Sequence, residues 1–234
     1  MFYITVALLA LFFGWLAVRL LSTPRRRGLA FTGRIPGNPV IVVFSDSPSQ
    51  NTRRLAVWIH EATGAPIVPI EVAVPYPRSY LKCVGQARKE LKKGILPALK
   101  EGTLPGLDEY DVVFLGTPVW WGTAAPPVKS FLEASARLDG KTVVPFVTHG
   151  GGGAGHTFED LRKSCPGASF KEGISLFGSD IVDRFLGRTI EDRVSPDAVA
   201  SWLNRIFPGA EPGEEASPGR NSDERQQEDL RLRP

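Results

Sequence analysis

The chain has 234 residues, room for one ordinary domain plus appendages. Its 42% hydrophobic and 23% charged residues are those of a globular protein with enough apolar material for a packed core. A net charge of +3 implies no nucleic-acid partner, and the two cysteines, Cys83 and Cys165, lie far apart without metal-ligand spacing, so they read as buried or free thiols of a reducing compartment rather than a disulfide framework.

The first segment reads as a membrane anchor. Phe2–Val18 (FYITVALLALFFGWLAV) carries no charge, and with Arg19 snorkelling it extends to Leu21. That is about 20 residues, or roughly 30 Å of helix, the thickness of a bilayer's hydrocarbon core. A cleaved secretory signal would have a basic start and a small-residue cleavage site, and here the run begins at Phe2 and is followed by VRLLSTPRRR. Arg19, Arg25, Arg26 and Arg27 lie on its C-terminal side, so the sequence predicts a single-pass signal-anchor over residues 1–22 with the N-terminus outside and the remainder facing the cytoplasm. The same arginines are suited to anionic headgroups. Residues 23–38 then read as a basic, Gly/Pro-rich linker.

From Val40 the pattern alternates. Val40–Phe44 (VIVVF) is a short continuous apolar run, the mark of a strand buried on both faces. Asn51–Ala62 places Leu55, Ile59 and Ala62 at helical spacing. Ile67–Val72 is a strand that Pro69 marks as an edge, and Arg78–Lys92 a charged amphipathic helix. Asp111–Leu115 (DVVFL) is a strand, followed by a helix over Pro127–Ala136 with proline at its start. Thr142–Val147 is a strand, Thr157–Lys163 a helix and Phe170–Leu176 a weaker strand. A last helix runs to Asn204, with Ser195 as N-cap and Pro196 at its first position. Five strands alternating with helices predict a doubly wound parallel sheet with helices on both faces, over residues 39–207. Residues 208–234 lose their apolar content and read as a disordered charged tail.

In such sheets ligands bind beyond the carboxyl ends of the strands, and three loops there are unusual. Ser45–Thr52 (SDSPSQNT) precedes a helix, so its hydroxyls and N–H groups form an anion site, although Asn51 or Thr52 serves equally as a plain N-cap. Gly116–Gly122 (GTPVWWG) holds a tryptophan pair whose indoles offer a stacking platform or else pack into a core. Thr148–Gly155 (THGGGGAG) lets main chain approach a ligand closely, or forms a mobile lid. Gly150, Gly152 and Gly155 match G-x-G-x-x-G literally, but on the fourth strand and with Glu172 at the wrong end of the next one, so a dinucleotide fingerprint is not read here. No metal spacing, Walker loop or G-x-S-x-G elbow is present.

Ile67–Pro77 (IVPIEVAVPYP), Tyr110–Gly122 (YDVVFLGTPVWWG), Pro145–Gly151 (PFVTHGG) and Cys165–Ala168 (CPGA) together resemble the flavodoxin-like FMN-binding family, in the branch whose loops read P-x-W-W-G and T-H-G-G. The resemblance spans about Val40–Phe207 and implies a strand order 2-1-3-4-5 with FMN as cofactor. It implies that the loop bearing Ser47, Ser49, Gln50, Asn51 and Thr52 holds the phosphate. Thr117, Pro118, Val119, Trp120, Trp121 and Gly122 would form one wall of the isoalloxazine site. Thr148, His149, Gly150, Gly151 and Gly152 would form the other, with N–H groups and His149 near the ring's polar edge. One departure stands out. The family's S-x-T-G-N-T loop reads Ser47-Pro48-Ser49-Gln50-Asn51-Thr52 here, with Gln50 in place of glycine and Ser45-Asp46 resembling a two-residue insertion. A left-handed Gln50 would cost roughly 1–2 kcal/mol, and Asp46 is unfavourable beside a phosphate.

The resulting expectation is a membrane-anchored flavoprotein that transfers electrons to a quinone or a redox partner protein, with no covalent catalytic residue. The alternative is a tethered binding or scaffold protein that keeps the fold without the cofactor.

Overall fold

The computed structural model describes residues 29–102, 106–134, 138–179, 182–183 and 186–209. The expected anchor (residues 1–22), the basic start of the linker (23–28) and the tail from residue 210 onward lie outside the described residues. Among the described residues no helix is long and apolar enough to cross a membrane.

The sheet has seven strands: β1 Pro39–Val43, β2 Ile67–Pro69, β3 Val112–Trp120, β4 Thr123–Ala124, β5 Thr142–His149, β6 Ser169–Phe170 and β7 Ile174–Phe177. Its order is β2-β1-β3-β5-β6, with β7 also paired to β5; every pairing is parallel except the short β3–β4 hairpin. The five predicted strands are therefore present in the expected spatial order, and the count of five is corrected to seven for two reasons. The tryptophan loop folds back on itself to make β4. The last predicted strand is split: Phe170 pairs with Val143 and Ile174 with Phe146, so four steps of one chain oppose three of the other. One extra residue is accommodated as a bulge, beside Gly173, where a Cβ would meet the Pro145 carbonyl at 2.7 Å.

Side-chain alternation divides β1 between two cores. Val40, Val42 and Phe44 point to one face, Ile41 and Val43 to the other, and all are buried. The first face is covered by helices α2 Tyr80–Lys93, α3 Pro126–Ala134 and α4 Thr157–Ser164, the second by α1 Asn51–Thr63 and α5 Asp197–Ile206. Leu55, Ala56 and Ile59 of α1 are fully buried at helical spacing, and Gly64, left-handed at φ 73°, ends that helix. Helix α5 starts later than predicted, yet the Ser195 hydroxyl still accepts the Asp197 N–H at 3.2 Å.

Two further expectations are corrected. Thr117–Trp120 are strand rather than loop: hydrophobicity ends at Leu115, but β3 stays paired to β5 through Pro118–Thr148. Pro118 is tolerated because β1 has ended by Val43–Gly116, so no neighbour calls for its missing N–H. The part of the predicted linker that is described, residues 29–38, is not a free tether. Phe31 and Ile35 pack on the second core, and the Asn204 carboxamide accepts from the N–H groups of Thr32 (2.9 Å) and Gly33 (3.2 Å) and donates to the Ala30 carbonyl (3.0 Å).

Gly116 sits at the crowded centre, opposite Val43 on one side and Phe146 on the other. A Cβ there would lie 2.2 Å from the Phe146 ring and 2.8 Å from Val43. Gly116→Ala is expected to destabilise the domain by about 1–3 kcal/mol through overpacking, read as a lower urea midpoint at unchanged m-value.

Candidate functional site

The loops after β1, β3 and β5 converge, as expected for a doubly wound sheet, around a cleft of about 700 Å³, within the usual range for small-molecule sites. Of the predicted residues, Ser47, Ser49, Val119, Trp120, Trp121, Gly122, His149, Gly150 and Gly152 line it. A smaller void of about 40 Å³ adjoins it, lined among others by Ser47, Asn51, Thr52, Pro118, Thr148 and Ser179. Gln50, Thr117 and Gly151 line neither space.

The β1 loop delivers hydroxyls and N–H groups to the start of α1. The Ser47 and Ser49 hydroxyls lie 3.2 Å apart, and the first N–H groups of α1 have no intrahelical partner. Asn51 is buried and committed: its amide donates to the Ser179 hydroxyl at 2.8 Å and its carbonyl accepts the Ile190 N–H at 2.9 Å. Thr52 and Thr148 share a 2.8 Å hydroxyl–hydroxyl bond. One of those two hydrogens stays free for an acceptor in the adjoining void. The serine and threonine hydroxyls are thus the side-chain donors this loop leaves facing the cleft and the void, with Asn51 acting as a brace.

Gln50 adopts the left-handed conformation (φ 49°, ψ 31°) that the motif comparison anticipated for a glycine. Its amide donates to the Ser47 carbonyl at 2.7 Å, partly offsetting the strain and closing the loop on itself. Arg54 clamps the same loop, donating from Nε to the Ser49 carbonyl at 3.0 Å and pairing with Glu191 at 2.6 Å. The Asp46 carboxylate lines the cleft and accepts the Tyr76 N–H at 3.2 Å.

The two tryptophans divide their roles. Trp120 is partly buried, edge-on to Tyr76 (5.0 Å between centroids) and Phe44 (5.6 Å). Tyr76 is itself held by a 2.5 Å hydrogen bond to the buried Glu90 carboxylate, and burial with that contact keeps its hydroxyl protonated far into the alkaline range. Trp121 is left-handed (φ 55°) and 55% exposed, donating to the Val84 carbonyl at 3.2 Å with Arg88 4.9 Å above its ring. Gln50 and Trp121 are the only non-glycine residues at positive φ among those described, and both lie in loops that border the cleft. Strain of this kind costs of order 1–3 kcal/mol and concentrates where a surface must be presented.

The glycine run provides the third wall. Gly155 lies so close to Gly122 that a Cβ would be 2.3 Å from the Gly122 carbonyl, which also accepts the His156 N–H at 2.7 Å. The tryptophan and glycine loops are thereby joined. His149 accepts the Gly151 N–H at Nδ1 (3.1 Å), which leaves Nε2–H as its donor, and burial holds its pKa below the usual value, so the ring is neutral at pH 7.

Sequence reasoning missed Arg54, Arg78, Tyr80 and Ser179, together with Gly187, Arg188 and Thr189, all of which line the cleft. Arg78 and Tyr80 follow β2, where placement beyond a strand end was the available signal. The segment holding Ser179 and Arg188 shows no periodicity and gave none. Taken together, a flat indole, a neutral imidazole donor, flexible glycine backbone and hydroxyls at a helix N-terminus fit a planar heteroaromatic ligand that carries a phosphate.

Gln50→Ala keeps the strained backbone and loses the amide bond, so it should lower stability by about 0.5–1.5 kcal/mol. Gln50→Gly relieves the strain and should change stability by less than about 1 kcal/mol; urea titration separates the two. For His149 the folded-state pKa is depressed, so between that value and about 6.5 the unfolded chain takes up a proton that the folded one refuses. Its contribution is present above pH 6.5 and is lost as pH falls through that window. The stability difference between pH 7.5 and 5.5 should therefore shrink in His149→Gln.

The family model described as flavodoxin matches residues 40–206. Among solved structures, a candidate flavoprotein of Bacteroides eggerthii DSM 20697 is 30% identical, covering 73% of this chain and 98% of its own, with a TM-score of 0.58. A second, from Bacteroides uniformis ATCC 8492, is 26% identical over 72% of this chain and 98% of its own, with a TM-score of 0.59. A flavoprotein of Lactobacillus acidophilus NCFM, solved in complex with FMN, shares the fold at 20% identity and a TM-score of 0.50, over 64% of this chain and 97% of its own. No curated protein matches. With the family matched across the whole sheet and its helices, the chain belongs to the flavodoxin family.

Proposed function

We propose that this protein is an FMN-binding flavoprotein, tethered to a membrane by its first 22 residues with its domain on the cytoplasmic side. In this reading it transfers electrons between a reduced donor and a quinone or protein acceptor. The observation that carries it is the convergence of Trp121, the glycine loop and the hydroxyl-rich start of α1 on one cleft, in a chain of the flavodoxin family. Ser47, Ser49, Thr52 and Thr148 would hold the phosphate together with the first-turn N–H groups of α1, whose dipole favours an anion. Trp121 would offer its face to the ring, Trp120 would support it from behind, and the loop from His149 to Gly152 would supply donors.

Bound FMN would supply reversible one- and two-electron chemistry. The chain's own contribution is to orient the ring and exclude water from one face. The neutral His149 places no full charge there. Anchoring is supported by the uncharged run Phe2–Val18 and its arginine flank.

The left-handed Gln50 and the Asp46 carboxylate favour a second reading, a tethered scaffold without cofactor. Incubating the domain with FMN, desalting and recording the visible spectrum tests both. A retained yellow chromophore, fluorescent after denaturation, is expected; a folded but colourless domain would establish the scaffold reading. Trp121→Ala should weaken FMN binding by about 0.5–1.5 kcal/mol, roughly three- to tenfold in Kd, and Trp120→Ala by less. Unchanged affinity in both would remove the stacking assignment.

A further inference from the structure

Helix α5 has a definite sense relative to the cleft. Just before it, the 3₁₀ turn Ile190–Asp192 meets the first turn of α1 at the cleft edge, through Asn51–Ile190 and Arg54–Glu191. Just after it, Phe207 lies under Lys171, beside the start of β5 at the far end of the sheet. The helix therefore runs from the cleft end towards the far end. Residues 29–33 lie alongside it in the same sense: the Leu29 N–H donates to Asp197 at the start of α5 (2.9 Å), and Gly33 reaches Asn204 near its finish. Leu29, the first described residue, consequently lies at the cleft end of α5.

The surface at that end is unusual. Leu29, Val74, Leu81, Val182 and Leu186 are each more than half exposed. Val74 and Leu81 flank the cleft-lining stretch from Pro77 to Tyr80, and Leu186 directly precedes the cleft-lining residues Gly187–Thr189. Arg78 and Arg188 stand among them on the cleft wall. Large apolar side chains with cations at a rim form the pattern of a surface that rests on lipid headgroups, the apolar tips entering the acyl boundary. An acidic protein partner would account for the arginines but not for so many exposed aliphatic side chains. The chain length agrees. Seven steps from residue 22 to Leu29 span roughly 25 Å at most, and Arg25–Arg27 in that stretch are suited to anionic headgroups.

We infer that the rim of the cleft is a docking surface for an anionic bilayer, so that the mouth of the site faces the membrane rather than the aqueous phase. This rests on the proposed anchoring and adds an orientation to it; FMN binding is a separate matter.

The test uses the full chain in vesicles containing phosphatidylserine and a nickel-chelating lipid. Cys83 is replaced by serine, and a spin label is placed at Ser79→Cys on the rim or at Ser169→Cys at the far end of the sheet. Several-fold stronger relaxation at position 79 than at 169 is expected, with the difference lost in Leu81→Asp/Leu186→Asp and reduced in Asn204→Ala, which frees residues 30–33 from α5. Circular dichroism confirms that each variant is folded. Equal relaxation at the two positions, or stronger relaxation at 169, in protein that floats with the vesicles would overturn the orientation and leave the anchoring intact. A chain that fails to float overturns both.

Discussion

Everything in the site depends on the pairing of β3 with β5, seven residues long from Val112–Thr142 to Pro118–Thr148. These two strands carry the tryptophan pair and the glycine run, and their register decides that the two loops leave the sheet side by side. The register is fixed from both faces. Buried side chains alternate between two separate cores, and a one-residue slip would exchange them. Beyond the last pair, Gly155 against Gly122 continues the contact without a side chain between, and so joins the two walls.

Around that pair, non-glycine residues at positive φ occur, among the described residues, at two points. Gln50 turns the chain from β1 into α1, and Trp121 turns it from β3 into β4. Each is a residue whose side chain does something a glycine could not. The Gln50 amide closes its loop on Ser47, and the Trp121 indole, half exposed, donates to the Val84 carbonyl. The family's glycine at the first position would make a more pliant loop; here the loop is braced instead by Gln50, Arg54 and Asn51.

Much of this was legible in the amino-acid order. Among the described residues, the apolar runs and helical spacings located helices α1 to α5 and the five parallel tiers of the sheet, because burial on both faces leaves an uninterrupted signature. The edge position of β2 followed from Pro69. The motifs after β1, β3 and β5 named the three walls, nine of whose residues line the cleft. What the sequence hid has physical reasons. The continuation of β3 through Thr117–Trp120 is held by main-chain bonds, which leave no hydrophobic trace. The bulge before Ile174 depends on the partner strand's count. Asn51 looks like a ligand residue but spends its side chain on Ser179 and Ile190, partners 128 and 139 positions away that no local reading reveals. Arg188 and Ser179 reach the site from an aperiodic segment.

Asn204 joins the two extremities of the domain, bonding to backbone about 172 positions earlier. At a synthesis rate of about 5–20 residues per second, roughly ten to thirty seconds separate the emergence of Thr32 from that of its partner. Until then the core that Phe31 and Ile35 pack against lacks its last contributors, Ile206 and Phe207. The final turn of α5 therefore acts as a latch. The contacts of residues 29–35 with α5 are therefore among those that can form only once nearly the whole domain has been synthesised.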